Sequence, residues 1–252
     1  RTEHMFFGEE RILEMRRLIL STNEIETKSA LMTLLAFQEE DFYQMYQTIQ
    51  DKPMIVRLLD PPMHEFLPKT QQEIEQLSGK LQVPLDTLTR KITSLQETNP
   101  MLGHRGCRLG NTYPEITAMQ TRAILGAAIQ LKKEGFDPHP EIMVPLIGVV
   151  HEFDQQEKVI RDTAKKLFEE EGMEVDFHVG TMIEVPRAAL VADNIAKRAE
   201  YFSFGTNDLT QMTFGYSRDD IASFLPVYLE KKILKVDPFQ VLDQKGVGQL
   251  ID

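Results

Sequence analysis

Short apolar runs alternate along the chain with longer segments in which apolar residues recur at helical spacing. Four to eight nearly continuous apolar residues are typical of strands that are covered on both faces. The pattern therefore predicts four buried strands, within KPMIVRLLD (52–60), EIMVPLIGVV (141–150), DFHVGTMIEV (176–185) and EYFSFG (200–205). The last of these continues into Gly-Thr-Asn-Asp, a polar cluster that a strand buried on both faces does not need.

The segments between these runs are predicted to be helices. A proline suits the first position of a helix, so Pro114 and Pro186 mark two helix starts, the second helix reaching about Arg198. Apolar residues then recur at helical spacing in the two longest segments. They are Ile116, Met119, Ala123, Ala127 and Leu131 in one, and Phe153, Ile160, Ala164 and Leu167 in the other.

Two further helix starts are predicted near the end of the chain. Ser217 and Asp220 have the spacing of a capping box before IASFLPVYLEKKIL. Asp237 and Pro238 are typical of a cap and a first helical position, so we expect a last helix to begin there.

Strands that alternate with helices of 10–20 residues predict a parallel α/β fold, either a (β/α)₈ barrel or an open doubly wound sheet. Residues 68–100 interrupt the alternation and predict two polar helices, broken at Gly79 and Pro84. We interpret this stretch as a helical insertion after a strand. It is either a solvated excursion or a surface for a partner.

Composition narrows the function classes. The 252 residues suffice for one large domain, and we treat residues 1–252 as a single one. The net charge of −11 disfavours non-specific nucleic-acid binding. The sequence contains no run of 18 uncharged apolar residues, so no membrane span is predicted. A single cysteine, Cys107, excludes an internal disulfide. Because no initiator methionine is present, we expect a piece of a longer protein.

Charged and polar residues follow the predicted strands. In parallel α/β folds the carboxyl ends of the strands carry the active site, so we expect these residues to meet. Bidentate arginines suit phosphate or carboxylate groups, and two carboxylates on neighbouring strands suit Mg²⁺. The group consists of Arg57 and Asp60, Arg105 and Arg108 among glycines, Glu184, then Asn207 and Asp208. It predicts a site for a small phosphorylated, carboxylate-bearing metabolite that is bound through Mg²⁺.

Three of these residues also have a structural interpretation. Arg57 pairs with Asp60 or another buried carboxylate in one alternative; Glu184 is a first-turn helix acid and Asp208 a helix N-cap in the others. The six histidines lack metal-ligand spacing, but His64 and His104 flank the predicted site and are candidates for hydrogen bonding there. Cys107 is interpreted as a packed thiol rather than a nucleophile, because no His–Asn/Asp pattern accompanies it.

Five motifs together resemble the phosphoenolpyruvate-binding domain of the pyruvate, phosphate dikinase family, one of the phosphoenolpyruvate-utilising enzymes. The resemblance covers essentially the whole chain. The motifs are RTEHMFF at the start, VRLLDPPMHEFLP, NPMLGHRGCRLG, MIEVPRAALVAD and YFSFGTNDLTQMTFGYSRDD. The LLDPPMHEFLP stretch, the insertion after it and GHRGCRLG resemble the dikinases in particular.

The resemblance implies a (β/α)₈ TIM-type barrel that binds phosphoenolpyruvate or pyruvate at its C-terminal face. It implies that Arg1 and Arg57 hold the phosphoryl group, with Arg105 nearby, and that Glu184 and Asp208 ligate Mg²⁺. Gly205, Thr206 and Asn207 are expected to cradle the substrate. In this family a phosphohistidine on a separate domain exchanges its phosphoryl group with pyruvate enolate. A nucleotide-binding domain charges that histidine, so that ATP, pyruvate and phosphate give AMP, phosphoenolpyruvate and diphosphate.

The resemblance also implies what this chain does not contain. The family's proton-donor cysteine is expected beyond Asp252, and Cys107 does not take its role. The barrel's first strand is expected before Arg1 and its last two after Asp252, so we expect an incomplete barrel that is inactive alone. A homodimer is expected, in the cytoplasm, or in an organelle if a transit peptide lies upstream.

Three alternatives remain open. Phosphoenolpyruvate synthase, from the same family, would release phosphate rather than diphosphate. A truncated paralogue would bind phosphoenolpyruvate or a partner without catalysis. A metal-dependent, aldolase-like barrel would need a lysine or metal base at a strand end, and no such lysine is found.

Overall fold

Four parallel strands form the centre of the molecule. The structure is a computed structural model that describes residues 2–21 and 23–252. The strands pair in chain order, β1 to β4, and the sheet is curled like half a barrel. Their bounds are β1 Pro53–Arg57, β2 His139–Val144, β3 His178–Ile183 and β4 Phe202–Phe204. All four predicted strands are thus present, and the fold is α/β as expected.

Helices connect and cover these strands. Those before β2 are α1 Glu9–Leu20, α2 Glu24–Ile49, α3 Gln71–Leu81, α4 Leu85–Ser94, α5 Cys107–Thr112 and α6 Pro114–Lys133. Those after β2 are α7 Val150–Glu171, α8 Pro186–Leu190, α9 Ala192–Ile195, α10 Thr206–Phe214, α11 Leu225–Glu230 and α12 Val247–Ile251. Short 3₁₀ helices span Thr2–Phe6, Met63–Phe66, Pro100–Leu102 and Ile221–Ser223. None of the helices described has the length and apolar character needed to cross a bilayer.

The larger core lies between the strands and helices α2, α6 and α7. The two apolar stripes predicted from helical spacing are buried in full, from Ile116 to Leu131 in α6 and from Phe153 to Leu167 in α7. Pro114 is the first residue of α6, as predicted. Helix α2, which the strand–helix alternation did not predict, packs along α6 and contributes the buried rings of Phe42 and Tyr46.

The predicted insertion is helical but is not a solvated excursion. Helices α3 and α4 pack into a second core with α1, and Leu77, Leu88 and Ile92 are buried there. The prediction of a break at Gly79 was wrong, because Gly79 lies inside α3; the break comes at Gln82–Pro84. A capping box between Thr70 and Glu73 starts α3. The insertion therefore has its own hydrophobic anchorage beside the sheet.

Two predictions about burial and helix length were wrong. Ile55 in β1 is 52% exposed and Phe204 in β4 is 41% exposed, although both were expected to be covered. Both residues belong to edge strands of the four-stranded sheet, each of which has a neighbouring strand on one side only. The helix predicted from Pro186 to about Arg198 is two short helices, α8 and α9, separated at Val191.

The two helix starts predicted after residue 216 were also wrong. Asp220 precedes the 3₁₀ helix Ile221–Ser223 without a side-chain cap, so Ser217 and Asp220 form no capping box. Asp237 accepts a hydrogen bond from the backbone N–H of Phe239 at 2.8 Å and closes a turn instead of opening a helix. Local side-chain bonding of this kind competes with helix formation.

Truncating a core ring tests the packing of α7. We expect Phe153→Ala, which removes a fully buried ring, to lower the free energy of unfolding by about 3–5 kcal/mol. The matched control is Phe136→Ala, because Phe136 is 38% exposed; its effect should stay below about 1 kcal/mol. Urea unfolding of each variant, monitored by hydrogen–deuterium exchange in peptides of α7, measures both free energies. Equal effects of the two variants would contradict this description of the core.

Candidate active site at the carboxyl ends of the strands

The residues that follow the four strands lie at one edge of the sheet. All four strands run in the same direction, with Arg57 paired to Met143 and Ile183 paired to Phe204, so their carboxyl ends share this edge. Three acids there are almost fully buried: Asp60 is 5%, Glu184 2% and Asp208 7% exposed. Buried carboxylates need partners. The site is therefore described by what each carboxylate contacts.

Arg57, the last residue of β1, is paired with two carboxylates. Its Nη2 lies 3.0 Å from Glu3 Oε1, and its Nη1 lies 3.3 Å from Asp60 Oδ2. Thr2 donates a hydrogen bond from Oγ1 to the Arg57 carbonyl at 2.8 Å. The pairing of Arg57 with Asp60 that the structural alternative predicted is thus present, with Glu3 as an additional partner. Arg1, the other predicted phosphoryl ligand, lies outside the described residues.

Arg105 joins the end of β1 to the start of α10. Its Nη2 lies 2.6 Å from Asp60 Oδ2 and 3.4 Å from Asp208 Oδ2, and its Nε lies 3.2 Å from Asp60 Oδ1. Burial alone would lower the pKa of Arg105, but the charges of Asp60, Asp208 and Glu184 outweigh it and raise that pKa. Two arginines thus share Asp60, and the predicted grouping of Arg57, Arg105 and Asp208 is present.

Gly106 allows this arrangement through its backbone. Its φ of +57° favours glycine, and its N–H donates to the Asp60 carbonyl at 2.8 Å. A Cβ there would lie 2.7 Å from Cβ of Leu146. The close approach explains the second glycine of the Gly-His-Arg-Gly stretch. No strand forms between β1 and β2 in the described chain, and this turn with α5 occupies the interval.

Glu184 comes directly after β3 and is held by backbone from two neighbours. Its Oε1 accepts a hydrogen bond from the Leu146 N–H at 2.7 Å, and Gly205 packs so closely that a Cβ would overlap the carboxylate. Burial, reinforced by the charges of Asp60 and Asp208, raises the pKa of Glu184 to about 8. Glu184 precedes the N-cap Val185, so its interpretation as a first-turn helix acid was wrong.

Asp208 and Asn207 lie in the first turn of α10, whose N-cap is Gly205. The interpretation of Asp208 as an N-cap was therefore wrong. Gln211 donates from Nε2 to Asp208 Oδ1 at 3.1 Å, and Arg218 donates from Nη1 to Asn207 Oδ1 at 2.8 Å. The backbone N–H of Arg218 also donates to Gln211 Oε1 at 2.8 Å.

Sequence reasoning missed Gln211 and Arg218 as parts of the site. Gln211 is three residues after Asp208 on the same helix, a spacing that brings two side chains together. Arg218 belongs to a loop, where residue spacing carries no such information. Both residues stand within the YFSFGTNDLTQMTFGYSRDD motif. Their hydrogen bonds orient the two polar side chains that β4 brings to the site.

Of the other nucleophilic and titratable candidates, Cys107 and His104 have structural partners. Cys107 is buried, with Sγ 3.3 Å from the Leu146 carbonyl, and burial raises the pKa of its thiol. It is a packed thiol, as predicted. His104 Nε2 lies 2.5 Å from Thr112 Oγ1, and its ring packs against Tyr113. His64 Nδ1 lies 3.9 Å from Glu97 Oε2.

The acids can hold a divalent cation only with help from other ligands. Across residues 2–21 and 23–252 no group of three or more His, Cys, Asp or Glu side chains is arranged as a metal site. Glu184 and Asp208 supply two carboxylates, and their mutual repulsion is part of what raises the pKa of Glu184. A cation that takes its remaining oxygen ligands from water and substrate fits such a pair.

Comparison with known proteins identifies the family of this chain. The family model described as "PEP-utilising enzyme, PEP-binding domain" matches residues 1–252. The chain is 54% identical to pyruvate, phosphate dikinase 1, chloroplastic, of Arabidopsis thaliana, and 52% identical to pyruvate, phosphate dikinase of Clostridium symbiosum. In both comparisons all of this chain is covered, but only 26% and 29% of the relative.

The chain thus spans little more than a quarter of the length of these relatives. The match nevertheless extends through every strand and through the helical insertion, because it covers the whole chain. The chain belongs to the phosphoenolpyruvate-utilising enzymes and corresponds to their phosphoenolpyruvate-binding domain.

Proposed function

We propose that this chain is the substrate-binding part of a pyruvate, phosphate dikinase. One observation carries the proposal: two arginines and the carboxylates of Asp60, Glu184 and Asp208 converge at the carboxyl ends of β1, β3 and β4. Guanidinium groups bind phosphate and carboxylate, and paired acids bind a divalent cation. Phosphoenolpyruvate carries a phosphate and a carboxylate, so it matches this set.

The proposed reaction is a reversible phosphoryl transfer. A P–N bond of a phosphohistidine breaks and a P–O bond to the enolate oxygen of pyruvate forms, which gives phosphoenolpyruvate. Such transfers depend on positioning and charge neutralisation more than on covalent chemistry from the protein. Arg57, with Arg1 and Arg105, is assigned to the phosphoryl oxygens. Because Arg57 and Arg105 also pair with buried acids, their guanidinium groups are held in place before the substrate arrives.

Glu184 and Asp208 are assigned to Mg²⁺. The metal, when bound, supplies positive charge against the oxygen on which negative charge develops. Gln211 holds one Asp208 oxygen and Leu146 N–H holds one Glu184 oxygen, so each carboxylate keeps a fixed orientation. Thr206, the first residue of α10, is assigned to the substrate through its backbone N–H group. Gly205 is assigned to the substrate through the close approach that a residue without a side chain permits, because its own N–H donates to the Ile183 carbonyl at 3.0 Å. Arg218 donates a hydrogen bond to Asn207 Oδ1, which leaves the Asn207 amide N–H₂ for the substrate.

The remaining parts of the proposal concern the whole protein. The parallel sheet is part of a (β/α)₈ barrel, and a phosphohistidine domain and a nucleotide-binding domain belong to the same full-length protein. The barrel domain forms a homodimer. The chloroplastic and bacterial relatives support a location either in an organelle or in the cytoplasm. Measuring diphosphate against phosphate as the product separates this proposal from phosphoenolpyruvate synthase.

Removing one arginine tests the division of labour. In the natural full-length protein, Arg57→Ala should lower phosphoenolpyruvate formation by about a hundredfold or more, because the charge facing the phosphoryl group is lost. Phosphorylation of the histidine from ATP and phosphate should persist. Both are measured by isotope exchange. Arg90→Ala, at an exposed position of α4, is the matched control and should leave both steps unchanged. Loss of both steps in Arg57→Ala with an intact fold would contradict the proposal.

Removing one charge from the acid pair tests the metal assignment. Asp208→Asn should weaken Mn²⁺ binding about ten- to hundredfold, because a neutral amide replaces one of two charged ligands. Electron paramagnetic resonance of free Mn²⁺ measures the affinity without turnover. Asp193→Asn, on the exposed surface of α9, is the control. An unchanged Mn²⁺ affinity in Asp208→Asn would remove Asp208 from the coordination sphere.

A further inference from the structure

The turn that carries Arg105 is held at two ends. At its inner end, the Gly106 N–H donates to the Asp60 carbonyl at 2.8 Å. At its outer end, the His104 N–H donates to Glu97 Oε1 at 2.5 Å. Arg105 lies between these two anchors. Its backbone position therefore depends on a residue that belongs to the helical insertion as well as on the end of β1.

Glu97 is fitted closely to this turn. A Cβ on Gly103 would overlap both carboxylate oxygens of Glu97, although the φ of −91° at Gly103 suits any residue. The absence of a side chain at 103 is thus explained by the carboxylate and not by the backbone. Arg108 secures the same turn from the other side, donating from Nη1 to the carbonyls of Leu102 and Gly103.

The second oxygen of Glu97 faces a histidine. Glu97 Oε2 lies 3.9 Å from His64 Nδ1, and neither buried atom has a hydrogen-bond partner among the residues described. His64 belongs to the segment that follows β1. The Glu97 carboxylate is therefore placed between the segment after β1 and the turn of Arg105, and both of its oxygens point at these neighbours.

We propose that Glu97 is a positioning residue for Arg105, through which the insertion of α3 and α4 supports substrate binding. The proposal rests on the proposed function, since Arg105 is assigned there to the phosphoryl group. Glu97 touches no reacting atom. Its carboxylate accepts the His104 N–H and so sets the path of the backbone from Gly103 to Gly106. Removing this acceptor leaves the hydrogen bond from Gly106 to Asp60 in place, but the backbone at His104 loses its anchor.

The test uses the natural full-length protein and phosphoenolpyruvate with Mg²⁺ as the titrated probe in calorimetry. Glu97→Ala should weaken phosphoenolpyruvate binding about tenfold, the effect of losing one hydrogen bond to a charged group. Histidine phosphorylation from ATP and phosphate should stay unchanged. Glu97→Gln keeps an acceptor for the His104 N–H and should restore binding close to that of the parent protein. Glu75→Ala, an exposed acid on α3, is the matched control.

Gly103→Ala is a second, independent way to remove the Glu97 carboxylate from its contact with the His104 N–H. Its new methyl group occupies the place of the carboxylate and should weaken binding as Glu97→Ala does. In the Glu97→Ala background the methyl group has nothing to displace, so the double variant should bind no more weakly than Glu97→Ala alone. If Glu97→Ala fails to fold, the proposal is still tested by Gly103→Ala, which should weaken binding, and by Glu97→Gln, which should not.

Unchanged binding in both Glu97→Ala and Gly103→Ala would overturn the inference. So would equal losses in Glu97→Ala and Glu97→Gln, or additive losses in the double variant. A loss that tracks a lowered unfolding temperature in all variants would show a purely structural role and would also overturn it. Failure of the parent protein to bind phosphoenolpyruvate would instead contradict the proposed function.

Discussion

The pairing of one buried carboxylate with two arginines organises the site. Asp60 lies within 3.3 Å of Arg57 and 2.6 Å of Arg105, and its backbone carbonyl accepts the Gly106 N–H. A buried ion needs several such partners to offset the loss of water. Because Arg57 ends β1 while Arg105 and Gly106 are about 45 residues further along the chain, Asp60 ties the end of β1 to the turn before α5. Arg105 then extends the same network to Asp208 on α10.

Positive and negative side chains are mixed at this edge of the sheet. The chain as a whole carries a net charge of −11, yet two guanidinium groups are concentrated beside the buried acids. The acids hold the arginines in place, and the arginines compensate part of the acids' repulsion. The raised pKa of Glu184 reflects its burial and, in second place, the repulsion from Asp60 and Asp208 that remains. An anionic substrate with a divalent cation brings both charges that such a site can use.

Prediction from sequence succeeded where a local pattern and the tertiary environment agree. The stripes of α6 and α7 were predicted because their burial repeats with the period of the helix. Prediction failed at Asp237, where a side chain bonds its own backbone, and at α8–α9, where the chain breaks without proline or glycine. It failed again at Ile55 and Phe204, since exposure at a sheet edge depends on which strands are neighbours.

By itself, the sequence determined the parallel α/β class, the helical insertion, the family and the residue types at the strand ends. These follow from periodicity and from motifs that are contiguous in the chain. Only the tertiary structure decided that Asp60 serves two arginines, that Glu97 anchors the turn of Arg105, and that Arg218 orients Asn207. The physical reason is that these bonds join residues from separate elements. Their geometry depends on how whole helices and strands pack, which no local spacing records.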